Sequence, residues 1–145
     1  MLIGEYKHKM DEKFRVSLPS RFRKNLGNTI VLTRGLERCV FAYNLSRWKE
    51  ITDRLSKLDG SRPERRKFLR FFISGATEVD IDSAGRILVP RFLLEFADLK
   101  QNKEVIIAGV QSRIELWNEE KWEEYKTKME NDEALTDNLG EIGAL

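Results

Sequence analysis

Apolar and polar side chains alternate along several short stretches of the chain, as in strands of a sheet that buries one face. In EYKHKM, residues 5–10, Tyr6, His8 and Met10 fall on one side of an extended chain, and Glu5, Lys7 and Lys9 fall on the other. The other predicted strands are RVSLP at 15–19, TIVLTR at 29–34, CVFAYN at 39–44, ATEVDI at 76–81, RILVP at 86–90, EVIIAG at 104–109 and IELWN at 114–118. The pattern therefore predicts eight short strands.

Short helices are predicted after the two strands that end in proline. Proline cannot donate a hydrogen bond to a sheet, but it suits the first turn of a helix. The strands that end at Pro19 and Pro90 should therefore be followed by helices over 20–26 and 91–97. Gly27 is well placed to end the first of these helices.

A longer helix is predicted after the last strand of each half, where Asn44 and Asn118 can cap the first turn. Apolar residues recur there at helical spacing, at Trp48, Ile51, Leu55 and Leu58 in the first helix and at Trp122, Tyr125 and Met129 in the second. A linker helix is predicted over 63–72, with a basic face that is either solvated or in contact with phosphates and consists of Arg65, Arg66, Lys67 and Arg70. From about Glu130 the chain is acidic and weakly periodic, and we expect it to fray.

One motif occurs twice, 71 positions apart. KMDEKFRVSLPSRF at 9–22 and DIDSAGRILVPRFL at 80–93 each contain an Asp, an Arg four residues later, an apolar run and a Pro. After an insertion of three residues in the second copy, 28–51 matches 102–125 at a spacing of 74. The matched pairs outside the motif are Gly4 and Gly75, Asn28 and Asn102, Val31 and Val105, Gly35 and Gly109, Asn44 and Asn118, and Trp48 and Trp122. The chain is therefore a duplicated unit of about 55 residues.

A four-stranded unit of this size buries too little apolar surface to be stable alone. Two units that share one core would be stable, so the duplication predicts an α+β fold in which the copies form an intertwined, pseudo-dimeric β-barrel with flanking helices. We divide the chain into a first repeat with its closing helix at 1–58, a basic linker helix at 59–73, a second repeat with its closing helix at 74–130 and an acidic flexible tail at 131–145.

The repeated Asp and Arg flank a tight turn. In DSAGR, residues 82–86, Asp82 can accept hydrogen bonds from backbone N–H groups of its own turn, and Gly85 can adopt a positive φ. Arg86 then leaves the turn beside Asp82, either to latch the hairpin or to present a guanidinium group to a phosphate or a guanine edge. The first copy has Phe14 at the place of Gly85, where a bulky residue is costly. We therefore expect either a different first turn or a Phe14 that is held by packing or by a partner.

The net charge of +2 conceals two halves of opposite charge. Residues 1–73 carry 18 Lys and Arg against 8 Asp and Glu, a net charge of +10, and residues 74–145 carry 8 against 16, a net charge of −8. This asymmetry has two interpretations: a basic face that binds a polyanion, or two halves that attract each other within or between chains.

The residues do not indicate an enzyme, a cofactor site or a metal site. His8 and Cys39 are the only His and Cys, they have no evident acid–base partner, and there is no Gly-rich phosphate loop or zinc-binding cluster. We expect both to be packed side chains, and we expect no small-molecule substrate. The chain has no membrane-spanning apolar run and no export signal, which together with a single Cys predicts a cytoplasmic protein without a membrane partner.

The duplicated Asp-x-x-x-Arg turn, followed each time by an apolar strand and a proline, resembles the MraZ family of bacterial DNA-binding proteins, which are AbrB-like, swapped-hairpin proteins. The resemblance extends from about residue 1 to residue 130. It implies AbrB-like hairpin units, a ring-shaped homo-oligomer and a nucleoid-associated transcription regulator. The implied partner is double-stranded DNA, in repeated promoter boxes of the division and cell-wall gene cluster.

The resemblance also implies that Arg15 and Arg86 contact DNA, with Asp11, Asp82 and Gly85 shaping the turns. The neighbouring basic residues predicted to help are Lys7, Lys9, Lys13, Arg21, Arg23 and Lys24. Because these cations surround Arg15, whereas Arg86 follows acidic and small residues, we predict that the first turn makes the main DNA contact. The second turn would be mainly structural or would serve a subunit contact.

The alternative function is an AbrB-like protein-interaction module of the antitoxin type, without direct promoter recognition. The acidic tail, ENDEALTDNLGEIGAL at 130–145, has two interpretations: it binds a basic partner, or it shields the basic half from DNA. Antitoxins of this class usually have a disordered C-terminal half. Here the pattern predicts a second folded unit in that half, which favours the DNA-binding regulator.

Overall fold

The computed structural model describes residues 1–143, which form eight β-strands and six α-helices. In chain order these are β1 (Leu2–Lys9), β2 (Arg15–Ser17), α1 (Ser20–Leu26), β3 (Thr29–Arg34), β4 (Val40–Asn44), α2 (Leu45–Leu55), α3 (Pro63–Ile73), β5 (Thr77–Asp80), β6 (Arg86–Leu88), α4 (Arg91–Ala97), β7 (Glu104–Gln111), β8 (Arg113–Asn118), α5 (Glu119–Glu130) and α6 (Glu133–Ile142). A 3₁₀ turn, Leu36–Arg38, joins β3 to β4. The fold is a mixture of helices and antiparallel sheet.

Six strands form an antiparallel sheet in the order β1-β7-β8-β4-β3-β5, and β2 and β6 form a separate two-stranded ribbon. Four of the pairings join a strand from one half of the chain to a strand from the other half. β1 pairs with β7, β2 with β6, β3 with β5, and β4 with β8. Each strand of residues 1–73 is therefore hydrogen-bonded to a strand from residues 74–143.

The sheet is open, which corrects the prediction of a closed β-barrel. Within the described residues, β1 and β5 are edge strands that each pair with one neighbour only. The strands that would continue the hydrogen-bonded ladder beyond them, β2 and β6, have three residues each and pair with one another. The ribbon therefore packs across the sheet through side chains instead of closing it through backbone hydrogen bonds.

The sheet separates two apolar cores. Along β7, Val105 and Ile107 belong to one core and Ile106 and Ala108 to the other, as the alternation of a strand requires. The first core lies between the sheet, the ribbon, α1 and α4, and it includes Val16, Phe22, Ile87 and Leu93. The second core lies under α2, α3 and α5, and it includes Trp48, Phe72, Trp117 and Trp122. The ribbon and α2 thus lie on opposite sides of the sheet.

Several local predictions are confirmed. Helices α1 and α4 begin directly after Pro19 and Pro90, and the Gly27 N–H donates to the Arg23 carbonyl at the end of α1. The Asn44 side chain accepts a hydrogen bond from the N–H of Arg47, and Asn118 caps α5 in the same way. The linker helix is also present, as α3.

Within the predicted acidic tail, Glu133–Ile142 form a helix, α6. The Asp132 side chain caps this helix by accepting a hydrogen bond from the N–H of Ala134. Its larger apolar residues, Leu135, Leu139 and Ile142, recur at helical spacing and remain exposed. The last two residues of the predicted tail lie outside the described residues.

Candidate nucleic-acid interface

The first Asp-to-Arg turn is held by hydrogen bonds to one carboxylate. One oxygen of Asp11 accepts from the N–H groups of Lys13 and Arg15, both at 2.9 Å, and the other accepts from Arg15 Nε at 2.8 Å. The backbone closes the turn as well, because the Phe14 N–H donates to the Asp11 carbonyl at 3.1 Å. The hydrogen bond from the Arg15 N–H lowers the pKa of the Asp11 carboxyl below its ordinary value.

The second turn repeats this arrangement around Asp82. Its carboxylate accepts from the N–H groups of Ala84 at 3.0 Å and Arg86 at 2.9 Å, and from Arg86 Nε at 2.9 Å. The pKa of Asp82 is lowered for the same main reason, the hydrogen bond from the Arg86 N–H. Each Asp therefore shapes its turn and also fixes the direction of its Arg.

The two turns have the same backbone geometry although one contains Phe14 and the other Gly85. The φ angle is +61° at Phe14 and +81° at Gly85, and both residues donate their N–H to the carbonyl of the turn Asp. Phe14 is half-buried against the first core, and it lines a surface cavity of about 540 Å³ together with Leu94. Packing therefore holds Phe14 in a conformation that is costly for its residue type.

Arg23 was predicted to assist DNA binding, but its guanidinium group lies over Gly85. A Cβ atom at position 85 would overlap the guanidinium carbon of Arg23. The Nε and Nη2 groups of Arg23 also donate to the Leu18 carbonyl, at 3.2 and 3.1 Å. Arg23, a residue of the first repeat, thus packs against the second turn and braces it. Leu94 is the equivalent residue of the second repeat, and it lies beside Phe14 of the first turn.

The ribbon places both motif arginines on one surface. Val16 and Ile87 lie opposite each other and are fully buried. Because side chains alternate along a strand and opposed residues share a face, the neighbours of these two residues point away from the core. These outward-facing residues, which we call the ribbon face, are Arg15, Ser17, Arg86 and Leu88.

Two predicted DNA contacts lie on β1 instead, beside acidic residues. Lys7 forms an ion pair of 2.6 Å with Glu119 at the start of α5, and the hydrogen bond raises the pKa of Lys7. Lys9, which is exposed, lies opposite Glu104 of β7. The opposite charges of the two halves therefore meet in part within the chain.

The remaining predicted cations are exposed. Lys13 lies at the tip of the first turn, and Arg21 and Lys24 lie on α1. One guanidinium nitrogen of Arg21 donates a hydrogen bond of 3.4 Å to the Tyr6 hydroxyl. Lys13 is therefore available to a polyanion at the first turn, whereas Arg21 and Lys24 are available on α1, the helix whose Arg23 contacts Gly85 of the second turn.

Sequence reasoning missed Ser17 and Leu88 as members of the same surface. The alternation in RVSLP and RILVP already puts each of them on the side of its motif Arg. The sequence did not indicate that β2 pairs with β6, and it is this pairing that brings the two strands into one face. Among residues 1–143, no group of three or more His, Cys, Asp or Glu could hold a metal ion, and no helix is long and apolar enough to span a membrane.

Comparison with known proteins identifies the family. The family described as "MraZ protein, putative antitoxin-like" matches the chain twice, over residues 1–71 and 72–139. The chain belongs to the MraZ family. Its MraZ relatives cover nearly the full length. The protein named "Transcriptional regulator MraZ" from Clostridium acetobutylicum is 45% identical over 143 residues, and its namesake from Caldicellulosiruptor saccharolyticus is 46% identical over 144, each covering 99% of both chains.

A third MraZ protein, from Clostridium tetani, is 41% identical over 143 residues and again covers 99% of both chains. The two family matches divide the chain between Phe71 and Phe72, near the end of α3. Each match contains one Asp-to-Arg turn and one strand of the ribbon. The ribbon face of this MraZ chain is therefore built by both matched segments.

Proposed function

We propose that this MraZ-type transcriptional regulator binds double-stranded DNA with its ribbon face, and that Arg15 and Arg86 read base edges in the major groove. One observation carries the proposal: both arginines lie on the same face of a two-stranded ribbon, and each is aimed by its own Asp. A two-stranded β-ribbon is one of the elements that the major groove admits.

The arginine geometry suits recognition of guanine. In the described residues, each guanidinium uses Nε for its Asp, and no hydrogen-bond partner is present at its two terminal nitrogens. The side chains are 28% and 35% exposed. Two terminal N–H groups on a held guanidinium match the paired acceptors O6 and N7 of guanine.

The spacing of the two arginines also fits a short DNA site. Arg15 lies opposite Leu88, so Arg86 is its diagonal neighbour across the ribbon, at roughly 7–8 Å. Base pairs are stacked about 3.4 Å apart along the duplex. The two arginines would therefore reach guanines about two steps apart.

The exposed cations lie near both turns, because α1 follows Leu18, whose N–H donates to the Gly85 carbonyl of the second turn. Lys13 would neutralise phosphates beside Arg15, and Arg21 and Lys24 would do so from α1, nearer the second turn. We expected the second turn to be mainly structural or to serve a subunit contact; because Arg86 shares the ribbon face with Arg15, we propose that it also contacts DNA.

We also propose that the chain is an AbrB-like pseudo-dimer whose two repeats, at 1–58 and 74–130, are joined by a basic linker helix at 59–73. The exchange of strands between the halves supports this organisation. A ring-shaped homo-oligomer would present several ribbon faces to repeated promoter boxes, and weak single contacts would then add. Sedimentation velocity with and without DNA tests the assembly.

The proposed biological setting is the nucleoid in the cytoplasm, with repeated boxes upstream of the division and cell-wall genes as the target. The relatives' name, "Transcriptional regulator MraZ", supports regulation of transcription. Footprinting on that upstream DNA would locate the boxes.

Fluorescence anisotropy with the protein's own upstream DNA, measured against salt, tests DNA binding. We expect log K to fall linearly with log salt, and Arg15→Ala and Arg86→Ala each to weaken binding about 10-fold or more, as loss of a bidentate guanine contact does. Arg15→Lys should keep most of the salt slope but not the affinity, because it keeps the charge and loses the planar fork.

Arg54→Ala is the matched control, since Arg54 is exposed on α2, on the other side of the sheet. It should bind like the wild type. Wild-type protein that shows no salt-dependent binding would contradict the proposal and would favour the antitoxin-like interaction module instead.

A further inference from the structure

The ribbon face has a pseudo-twofold arrangement of charge but not of its other side chains. The pair Val16 and Ile87 lies at its centre, with Arg15 on one side and Arg86 on the other. The residue opposite Arg15 is Leu88, whereas the residue opposite Arg86 is Ser17. These two residues occupy equivalent positions in the repeats, so they are what distinguishes one end of the ribbon face from the other.

We propose that Leu88 and Ser17 make the ribbon face bind DNA in one direction, because Leu88 contacts the C5-methyl group of a thymine next to the guanine bound by Arg15. This inference rests on the proposed function. It adds a residue that selects a base, and it predicts a site that is not a palindrome.

The environment of Leu88 supports an apolar contact. Its side chain is 56% exposed although it lies between two charged turns. On its other side it lines the cavity of about 540 Å³ that also contains Phe14 and Leu94. Leu88 thus extends an apolar surface as far as the motif arginines.

Major-groove chemistry determines what such a side chain can recognise. A leucine neither donates nor accepts hydrogen bonds, and the apolar group on the major-groove edge of base pairs is the thymine methyl. Opposed residues have Cβ atoms about 4.5–5.5 Å apart, which is between one and two base steps. A thymine adjacent to the guanine of Arg15 is therefore within reach.

Ser17 is different at the equivalent place. Its hydroxyl can donate or accept, so it tolerates several bases beside the guanine of Arg86. A reader with exact twofold symmetry would bind a palindrome equally well in both orientations. With Leu88 at one end only, reversing the DNA would lose the methyl contact, and repetition of the box would compound the loss across protomers.

The test replaces each thymine of a single bound box, one at a time, by uracil, which lacks only the methyl group. For the wild type, one replacement should weaken binding roughly fourfold, the factor expected for one buried methyl group. Leu88→Ala should be insensitive to that same replacement. Leu36→Ala is the control, since Leu36 is 55% exposed but lies in the turn between β3 and β4, and it should keep the wild-type sensitivity.

A second variant tests direction. Exchange of the two residues, Ser17→Leu with Leu88→Ser, should move the sensitive thymine to the guanine contacted by Arg86 and so reverse the preferred orientation of the box. Urea unfolding of each variant verifies that it is folded.

The outcomes separate the two proposals. If binding depends on Arg15 and Arg86 but no thymine is methyl-sensitive, or if Leu88→Ala keeps the sensitivity, then directional recognition by Leu88 is wrong and the ribbon face still binds DNA. If Arg15→Ala and Arg86→Ala bind like the wild type, the proposed function itself fails.

Discussion

Gly85→Ala is the substitution whose effect the structure specifies most fully. Gly85 has φ of +81°, and the new Cβ would overlap the guanidinium group of Arg23. Arg23 belongs to the other repeat, and it braces the turn through two hydrogen bonds to the Leu18 carbonyl. The substitution therefore strains the backbone and displaces a side chain.

The expected loss can be worked out from these two effects. A left-handed conformation costs roughly 1–2 kcal/mol for a residue with a Cβ. Displacing Arg23 loses hydrogen bonds from a charged, half-buried donor, about 1–2 kcal/mol. The free energy of unfolding should then fall by about 2–4 kcal/mol in total. For a chain of this length Tm changes by about 3 °C per kcal/mol, so Tm should fall by about 6–12 °C.

A double-mutant cycle with Arg23→Ala, followed by urea unfolding, tests the assigned cause. Arg23→Ala alone should cost about 1–2 kcal/mol, the value of its hydrogen bonds. In the Gly85→Ala background it should cost almost nothing, because those bonds are already broken. The coupling energy is therefore expected to be about 1–2 kcal/mol.

The first turn offers a matched control. The pair Gly85→Phe with Arg23→Leu copies the arrangement of Phe14 and Leu94, and it should be more stable than Gly85→Phe alone. Additive costs in the cycle, or a Gly85→Ala variant as stable as the wild type, would refute the bracing role of Arg23.

Three further predictions concern two buried side chains and the carboxylate that holds the second turn. Cys39 is buried and burial raises its pKa, so mass spectrometry should show alkylation by iodoacetamide only after unfolding in urea. Arg113→Met leaves Glu115 buried without its 2.7 Å partner and should lower the free energy of unfolding by about 3 kcal/mol in urea titrations. Folding lowers the pKa of the Asp82 carboxyl below its ordinary value of 3.8. Its ionised form therefore stabilises the fold above pH 3.8, and this contribution is lost as the pH falls through the lowered pKa. Asp82→Asn should lack this dependence. In urea unfolding measured from pH 6 to pH 3, the difference in unfolding free energy between wild type and Asp82→Asn should therefore become smaller as the pH falls.

The features that the sequence predicted well depend on neighbours in the chain. Pro19 and Pro90 mark the start of α1 and α4 because proline ends a strand and suits a first helical turn. The Asp-to-Arg turns are likewise local, since each carboxylate binds N–H groups two and four residues away.

The features that the sequence did not predict depend on distant pairings. The contact between Arg23 and Gly85 joins residues of different repeats, so neighbours in the chain did not indicate it. The ribbon face exists only because β2 pairs with β6, and no local pattern specifies which strand pairs with which. The same pairing leaves the sheet open where a closed barrel was expected.

Substitution of single guanines by 7-deazaguanine in the bound upstream DNA tests whether the ribbon face reads bases. This change removes N7, one of the two acceptors that a bidentate arginine uses in the major groove. We expect two sensitive guanines per box, with sensitivity at one lost in Arg15→Ala and at the other lost in Arg86→Ala. Binding that is indifferent to every 7-deazaguanine, or a sensitivity that both variants retain, would contradict base reading by the ribbon face.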